Sequence, residues 1–404
     1  MNKIFKVIII GGGASGLLCA TELLRKDNAF SGEDVLLIER LARVGKKLVA
    51  TGNGQGNIYN ENMREEFYHG DKEFISSVVC GIKQLCLINY FKDLGILTVS
   101  EAGGKVYPLS RQASSVLDII RAELIEKNLN ILTETKAQDV EYKKGIFTVF
   151  TDKGTFYAEN VVLACGGKAA GQYGTDGEGY ALSEKFGHRV TPLYPSLVQL
   201  KTDTKKIKGL KGIKTTAEVK IKSGEKVIKT VRGDLLFTDY GVSGNTIFNL
   251  SGYAAESDNP TLEIDFLPDI DEKDLADVLR ERKNKSFVKT EGIFCGLVNK
   301  MLGKALEKSS PDKAEKSLAK TAKCFTLKVC GNTGFDCAQV TKGGISTKDV
   351  CDKTFESTLR NGFYITGEAL NVDGDCGGYN LAFAFYSGII AAKSVKDKYL
   401  NCKS

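Results

Sequence analysis

Three glycines, Gly11, Gly13 and Gly16, mark the passage from the apolar run KVIII into the helix-patterned stretch ASGLLCATELL, and the carboxylate of Glu39 closes a second apolar run, DVLLIER, a little over twenty residues further on. A glycine trio at a strand-to-helix turn suits the binding of a dinucleotide. Gly11 permits the tight turn, Gly13 lets backbone approach a pyrophosphate, and Gly16 lets the helix pack closely on its strand. The helix N-terminus adds N–H groups without intrahelical acceptors and a partial positive charge for the phosphates. A carboxylate at the end of the second strand accepts the hydroxyls of an adenosine ribose and repels a 2′-phosphate, which argues against NADP as the bound nucleotide.

Two distant segments favour FAD over NAD. The stretch YAENVVLACGGKA reads as a strand carrying Val161, Val162, Leu163 and Ala164 into Gly166 and Gly167, preceded by a hairpin, GIFTVFTDKGTFY, turning around residues 152 to 154. Near the C-terminus, GFYITGEALNVDGDCGGYNLAFAFYSGIIAA gives a strand, then Gly367 and Glu368, a glycine loop and a helix. An extended flavin nucleotide needs contacts along its ribityl chain and ring. Glu368 is placed to accept a ribityl hydroxyl. Gly377, Gly378, Tyr379, Asn380 and Leu381 would bring the last helix's N-terminus to the pyrimidine edge, where its dipole favours the negative charge of reduced flavin. Asn53, Gly54 and Asn57, in a glycine turn with amide side chains, can bond the ring without clashing.

The segments GGGASG, GKKLVATGNGQGN, YHG, GGKVYPLSRQASSVLDII, VVLACGG, GTDGEGYALSEKFGH, LLFTDYGVSG, VTKGGIS and TFESTLRNGFYITGEALNVDGDCGGYNLAFAFYSG occur in an order that resembles the BaiN-like flavoproteins, also called the aminoacetone-oxidase family. The resemblance runs from about residue 5 to residue 392 and is weakest between 250 and 325. It implies an α/β fold: a Rossmann-like FAD domain of the glutathione-reductase type, split in sequence by a β-rich insert that itself carries a helical subdomain. The expected organisation is 1–190 with 343–404 for the FAD domain, 191–250 with 324–342 for the β-rich insert and 251–323 for the helical part. The expected cofactor-binding set is Gly11, Gly13, Ala14, Ser15, Gly16, Glu39, Arg40, Lys47, Thr51, Asn53, Gly54, Asn57, Ala164, Gly166, Gly167, Gly367, Glu368, Gly378, Tyr379, Asn380 and Leu381. Two departures stand out. The family loop usually reads GNGRCN, whereas Gln55 and Gly56 replace its arginine and cysteine here, and Asp239 and Asn245 stand where the family tends to have histidine and proline.

By analogy with the family's bile-acid enone reductase, the resemblance implies reduction of an activated C=C bond, with hydride from flavin N5 and a proton from a nearby acid. Tyr107, Tyr240 and Tyr379 are the candidate acids, while His69 and His188 are read as structural. No second glycine fingerprint follows, so NAD(P)H is expected only as a transient donor docking over the flavin, or the electrons come from elsewhere. No metal site is expected.

Elements of this kind need a long chain. With 404 residues, 42% hydrophobic and 26% charged, two or three packed units are expected. Residues from about 191 to 250 alternate in short strand-like stretches, and 271 to 323 are rich in Lys, Glu, Leu and Ala without glycine-punctuated strands. Eleven scattered cysteines without a CxxC pairing read as reduced thiols, and no apolar run is long enough to span a membrane; a cytoplasmic protein is expected. Lys201, Lys205, Lys206, Lys208, Lys211, Lys214, Lys220 and Lys222 crowd one stretch, which reads first as a solvated face. The leading expectation is an oxidoreductase acting on a small apolar substrate at the insert-domain interface. An RNA-interacting flavoprotein and an FAD-binding protein without turnover are the alternatives, a nucleic-acid partner is not expected, and the oligomeric state is left open.

Overall fold

The run KVIII is buried on both sides, as a central parallel strand requires, because helices must cover both faces of a parallel sheet. In the computed structural model, which describes residues 3–25 and 29–401, it forms the strand Ile4–Ile10 at the centre of a seven-stranded sheet. This strand pairs in parallel with Val35–Ile38 on one side, Ile8 opposite Leu36, and with Gly154–Leu163 on the other, Ile8 opposite Val161. Asn130–Leu132 extends the parallel half beyond Val35–Ile38. The long strand Gly154–Leu163 forks. Its C-terminal end pairs in parallel with Phe363–Ile365, and its N-terminal end turns back through the hairpin with Ile146–Thr151, which continues to Ala137–Lys143.

The helix Ala14–Leu24 follows the first strand, and the final helix, Tyr379–Asn401, packs against it. Gly388 makes the approach possible: a Cβ on it would lie 2.1 Å from the carbonyl oxygen of Ser15. Among the described residues no single helix is long and apolar enough to cross a membrane.

The chain divides into two compact units, Met1–Leu193 with Val340–Ser404 and Tyr194–Gln339. The second unit is built on a closed six-stranded barrel, in the order Leu200–Thr202, Gly241–Ser243, Lys226–Phe237, Lys214–Ser223, Pro260–Asp265 and Phe325–Asn332. Val219, Ile221, Leu262, Ile264 and Leu327 fill its interior. One expectation is corrected here. The sequence pattern places the stretch from 251 in the helical part, yet Pro260–Asp265 is a barrel strand with alternating burial, pairing with Lys214–Ser223 and Phe325–Asn332. Its TLEID alternation is short and lies beside a helix, Asn245–Glu256, which masks its period of two. The helical excursion proper begins at Glu272 and runs through four helices to Lys323.

Candidate cofactor and active site

The glycine turn is shaped by backbone contact. Gly11 has φ +111°, and a Cβ there would sit 2.4 Å from the Ala164 carbonyl oxygen; one on Gly16 would sit 2.0 Å from the carbonyl oxygen of Gly11. Both positions need glycine so that the turn can wedge between two parallel strands. Gly13 differs: a Cβ would meet nothing within 4 Å, so this side of the turn is open. Gly13 caps the helix Ala14–Leu24 with no side-chain hydrogen bond, leaving the amides of the first turn facing that opening.

The Glu39 carboxylate is buried and accepts from the Gly12 N–H at 2.9 Å and the Leu41 N–H at 2.8 Å. Burial raises its pKa, against the opposing pull of these two N–H groups and the nearby Arg40 and Lys46. A carboxylate offers about four lone-pair sites, so acceptor capacity remains for ribose hydroxyls. Arg40, an expected cofactor contact, pairs with Asp176 at 2.7 Å and Glu178 at 3.7 Å, carboxylates just before and at the start of the helix Glu178–Glu184.

Beside Ala164, Cys165 is partly buried, and burial pushes its thiol pKa up to about 12. It therefore stays protonated at neutral pH. Iodoacetamide at pH 8 is expected to label the exposed Cys80, Cys86, Cys330 and Cys337 long before Cys165, as peptide mass spectrometry would show; equal labelling would contradict the raised pKa. All ten described cysteines are free.

The middle of the site joins segments far apart in sequence. Lys47, on the helix Lys46–Ala50, places Nζ 2.6 Å from Glu368 Oε2 and 3.1 Å from the Ala169 carbonyl. Glu368 Oε1 accepts from the Thr341 N–H at 2.9 Å, and Thr341 Oγ1 accepts from the N–H groups of Lys168 and Ala169 at 2.7 and 2.8 Å. Gly167 is tight against this knot, since its Cβ would fall 2.5 Å from Thr341 Oγ1. The Gly367 N–H donates to Ser387 Oγ, and the Thr51 hydroxyl donates to the Leu48 carbonyl at 2.6 Å. Gly166 takes φ +76° in the loop before Gly167.

The third region is polar and narrow. Gly52, Asn53, Gly54 and Gly56 take φ of +57°, +54°, +85° and +72°, so this turn is a chain of left-handed residues that only glycine and asparagine adopt readily. Gly56 lies against Ala113 Cα, 3.0 Å from where its Cβ would be, so glycine here suits the crowding. Asn57 Oδ1 is buried with no hydrogen-bond partner. It lies 2.8 Å from where a Cβ on Gly378 would be, and that same Cβ would meet the Tyr59 carbonyl oxygen at 2.4 Å. An orphaned acceptor beside a glycine cradle at the start of the final helix leaves a place for a donor from outside the chain.

Of the three tyrosines, Tyr379 is a packing residue: its ring stacks on Phe67 at 5.0 Å and meets Tyr68 edge-on at 5.8 Å, with the hydroxyl directed at the Asn62 carbonyl. Tyr240 belongs to the other unit and is exposed. Tyr107 is half-buried on the strand Lys105–Pro108, its ring 4.9 Å from the Arg111 guanidinium and 3.7 Å from the Cβ position of Gly52; burial raises its pKa. The Asn380 side chain clamps Gly374 through its N–H and carbonyl at 2.8 and 2.7 Å. Leu381 is partly buried in the same helical turn.

Some residues of this region carried no local signal. Asn60 holds the Gly377 carbonyl at 2.8 Å, and His69 Nε2 sits 2.9 Å from Asp375 Oδ1, where the strands Tyr68–Gly70 and Val372–Gly374 pair. Only the repeated polar residues of YHG and VDGD hinted at them. His188 bonds Ser357 Oγ at 2.7 Å inside the core, a structural place.

Comparison with known proteins adds three findings. The family description "HI0933-like protein Rossmann domain" matches residues 5–394. The chain is similar to the 3-dehydro-bile acid delta(4,6)-reductase of Clostridium scindens, 34% identical with 98% of this chain and 100% of that one covered, and to the ribosomal RNA dihydrouridine synthase of Haemophilus influenzae, 27% identical over 98% and 99%. Its fold is similar to that of 3-ketosteroid-delta4-(5alpha)-dehydrogenase from Rhodococcus jostii RHA1, with a TM-score of 0.51 at 14% identity, covering 98% of each chain.

Proposed function

We propose, from the premise that the chain belongs to the HI0933-like Rossmann-domain family, that it is an FAD-dependent oxidoreductase reducing a C=C bond conjugated with a carbonyl. The observation that carries the cofactor reading is the orphaned Asn57 acceptor in the Gly378 cradle, which suits the N–H of a flavin pyrimidine ring, in the same unit as an open glycine turn and a buried Glu39. Support for the reaction class comes from chemistry common to two relatives: a bile-acid delta(4,6)-reductase and a dihydrouridine synthase both saturate a C=C bond next to a carbonyl.

Bound there, FAD supplies hydride chemistry at N5 of its ring. The chain's residues do the rest. The Gly13 face and the helix it caps take the pyrophosphate, Glu39 the ribose, and Glu368 a ribityl hydroxyl while Lys47 balances its charge. The N-terminus of the final helix favours negative charge at the pyrimidine edge. Tyr107, a phenol whose pKa burial raises further, holds the proton that the substrate's α-carbon receives. NAD(P)H, docking transiently, is the proposed electron source.

The test is anaerobic. Reduced protein mixed with a 3-oxo-Δ4 steroid or with uridine-containing RNA should regain the oxidised flavin spectrum, and Tyr107→Phe should slow that reoxidation by about a hundredfold while leaving reduction by NAD(P)H unchanged. A reduced spectrum that persists with every enone, quinone and RNA tried would overturn the reading.

A small apolar enone is the first substrate class. The RNA reading is kept because of the dihydrouridine synthase relatives and the exposed Lys201, Lys205 and Lys208. Much of the surrounding lysine crowd is already neutralised: Lys211 pairs with Asp239, Lys214 with Asp234, and both Lys220 and Lys222 with Glu263.

A further inference from the structure

Beside the lysine-dense barrel stretch, a second set of exposed lysines lies on the helical excursion. The helix Lys300–Ser309 carries Lys300, Lys304 and Lys308 at four-residue spacing, and the helix Glu315–Lys323 carries Lys316 and Lys320 at the same spacing, with Lys313 in the turn between. All six are exposed. The opposite faces of the two helices, Leu302, Gly303 and Leu306 on one and Leu318, Ala319 and Ala322 on the other, are buried. Residues three or four apart are neighbours on a helix, so each helix presents a continuous row of like charge.

Most nearby carboxylates are committed elsewhere: Glu307 accepts from the Ile293 N–H, Asp312 from the Ala314 N–H, and Glu315 pairs with Lys283, while Glu291 pairs with Lys300 of the first row itself. Like charges four apart destabilise a helix, so such rows are a cost to the fold that an external anion would offset.

We propose that this helical hairpin is a docking surface for the phosphate backbone of RNA. The inference rests on the RNA reading given above. An anionic membrane is the less fitting partner, because a membrane-binding helix inserts an apolar face, and here the apolar faces are buried in the unit's own core. Rows of ammonium groups on solvent faces suit phosphate contacts, which are paid in released counterions and read as salt dependence.

The experiment measures binding of the full chain to a short RNA duplex and to ribosomal RNA across a salt series, for the parent and for a variant carrying Lys304→Gln, Lys308→Gln, Lys316→Gln and Lys320→Gln. Glutamine keeps helix propensity, and an unchanged melting curve verifies the fold. The parent should bind with a steep salt slope, and the variant's slope should fall by about three to four, near one for each lost phosphate contact. A control with Lys72→Gln and Lys83→Gln, both exposed on the helix Lys72–Leu85 of the other unit, should keep the parent slope. The proposal is overturned if the hairpin variant keeps the parent slope, if the parent ignores RNA at low salt, or if it binds only phosphatidylserine vesicles. Dihydrouridine formation is scored separately in the same samples: hairpin-dependent binding without base reduction removes the RNA-substrate reading and leaves the surface standing.

Discussion

Gly388→Ala is expected to destabilise the protein by about 3 kcal/mol or more, lowering the denaturant midpoint at an unchanged m value. The added methyl would lie 2.1 Å from the Ser15 carbonyl oxygen, 2.9 Å from Ser15 C and 3.2 Å from Ser15 Cα. All three are backbone atoms of the first turn of a helix and cannot rotate away, so the two helices must separate. Stabilities of about 5–15 kcal/mol make such a loss a large share of the total. The same displacement moves the amides at the start of Ala14–Leu24, so FAD binding should weaken in parallel. A stability change below about 1 kcal/mol would show that the helices do not meet there.

Gly13→Ala is the complementary case. Gly13 has φ −82° and ψ −169°, an extended conformation open to any residue, and a Cβ there touches no protein atom within 4 Å. Stability should change by no more than about 0.5 kcal/mol. The methyl would instead occupy the side of the turn at which a pyrophosphate approaches, costing about 2 kcal/mol of binding, roughly thirtyfold in FAD affinity. The pair of variants separates two roles of neighbouring glycines: one spaces helices, the other leaves room for a ligand. Loss of stability without loss of affinity at Gly13 would reverse that assignment.

What the sequence made legible was local. The strand, the glycine trio, the helix and Glu39 lie within 36 residues, and their spacing alone dictates the turn that the structure shows. The hairpin around 152 to 154 is likewise a short-range signal. Gly388 carried no such mark, because its need for a missing side chain depends on which residue of another helix lies opposite it. Lys47 and Glu368 were each visible as candidates, but their pairing across 321 positions was not. Tyr379 was visible as a phenol beside a glycine loop; that its ring packs between Phe67 and Tyr68 follows only from the meeting of two distant strands. Charge shows the same limit. Eight lysines between 201 and 222 drew the eye, whereas the carboxylates that neutralise several of them arrive from Asp234, Asp239 and Glu263, and the second set lies on helices whose lysine spacing has meaning only once the buried face is known.

The most direct measurement is a titration of flavin-stripped protein with FAD, followed by flavin absorbance and fluorescence. The account predicts saturation at one FAD per chain, and a weaker but still stoichiometric curve for Gly13→Ala. A protein that stays colourless after incubation with excess FAD and filtration would contradict it.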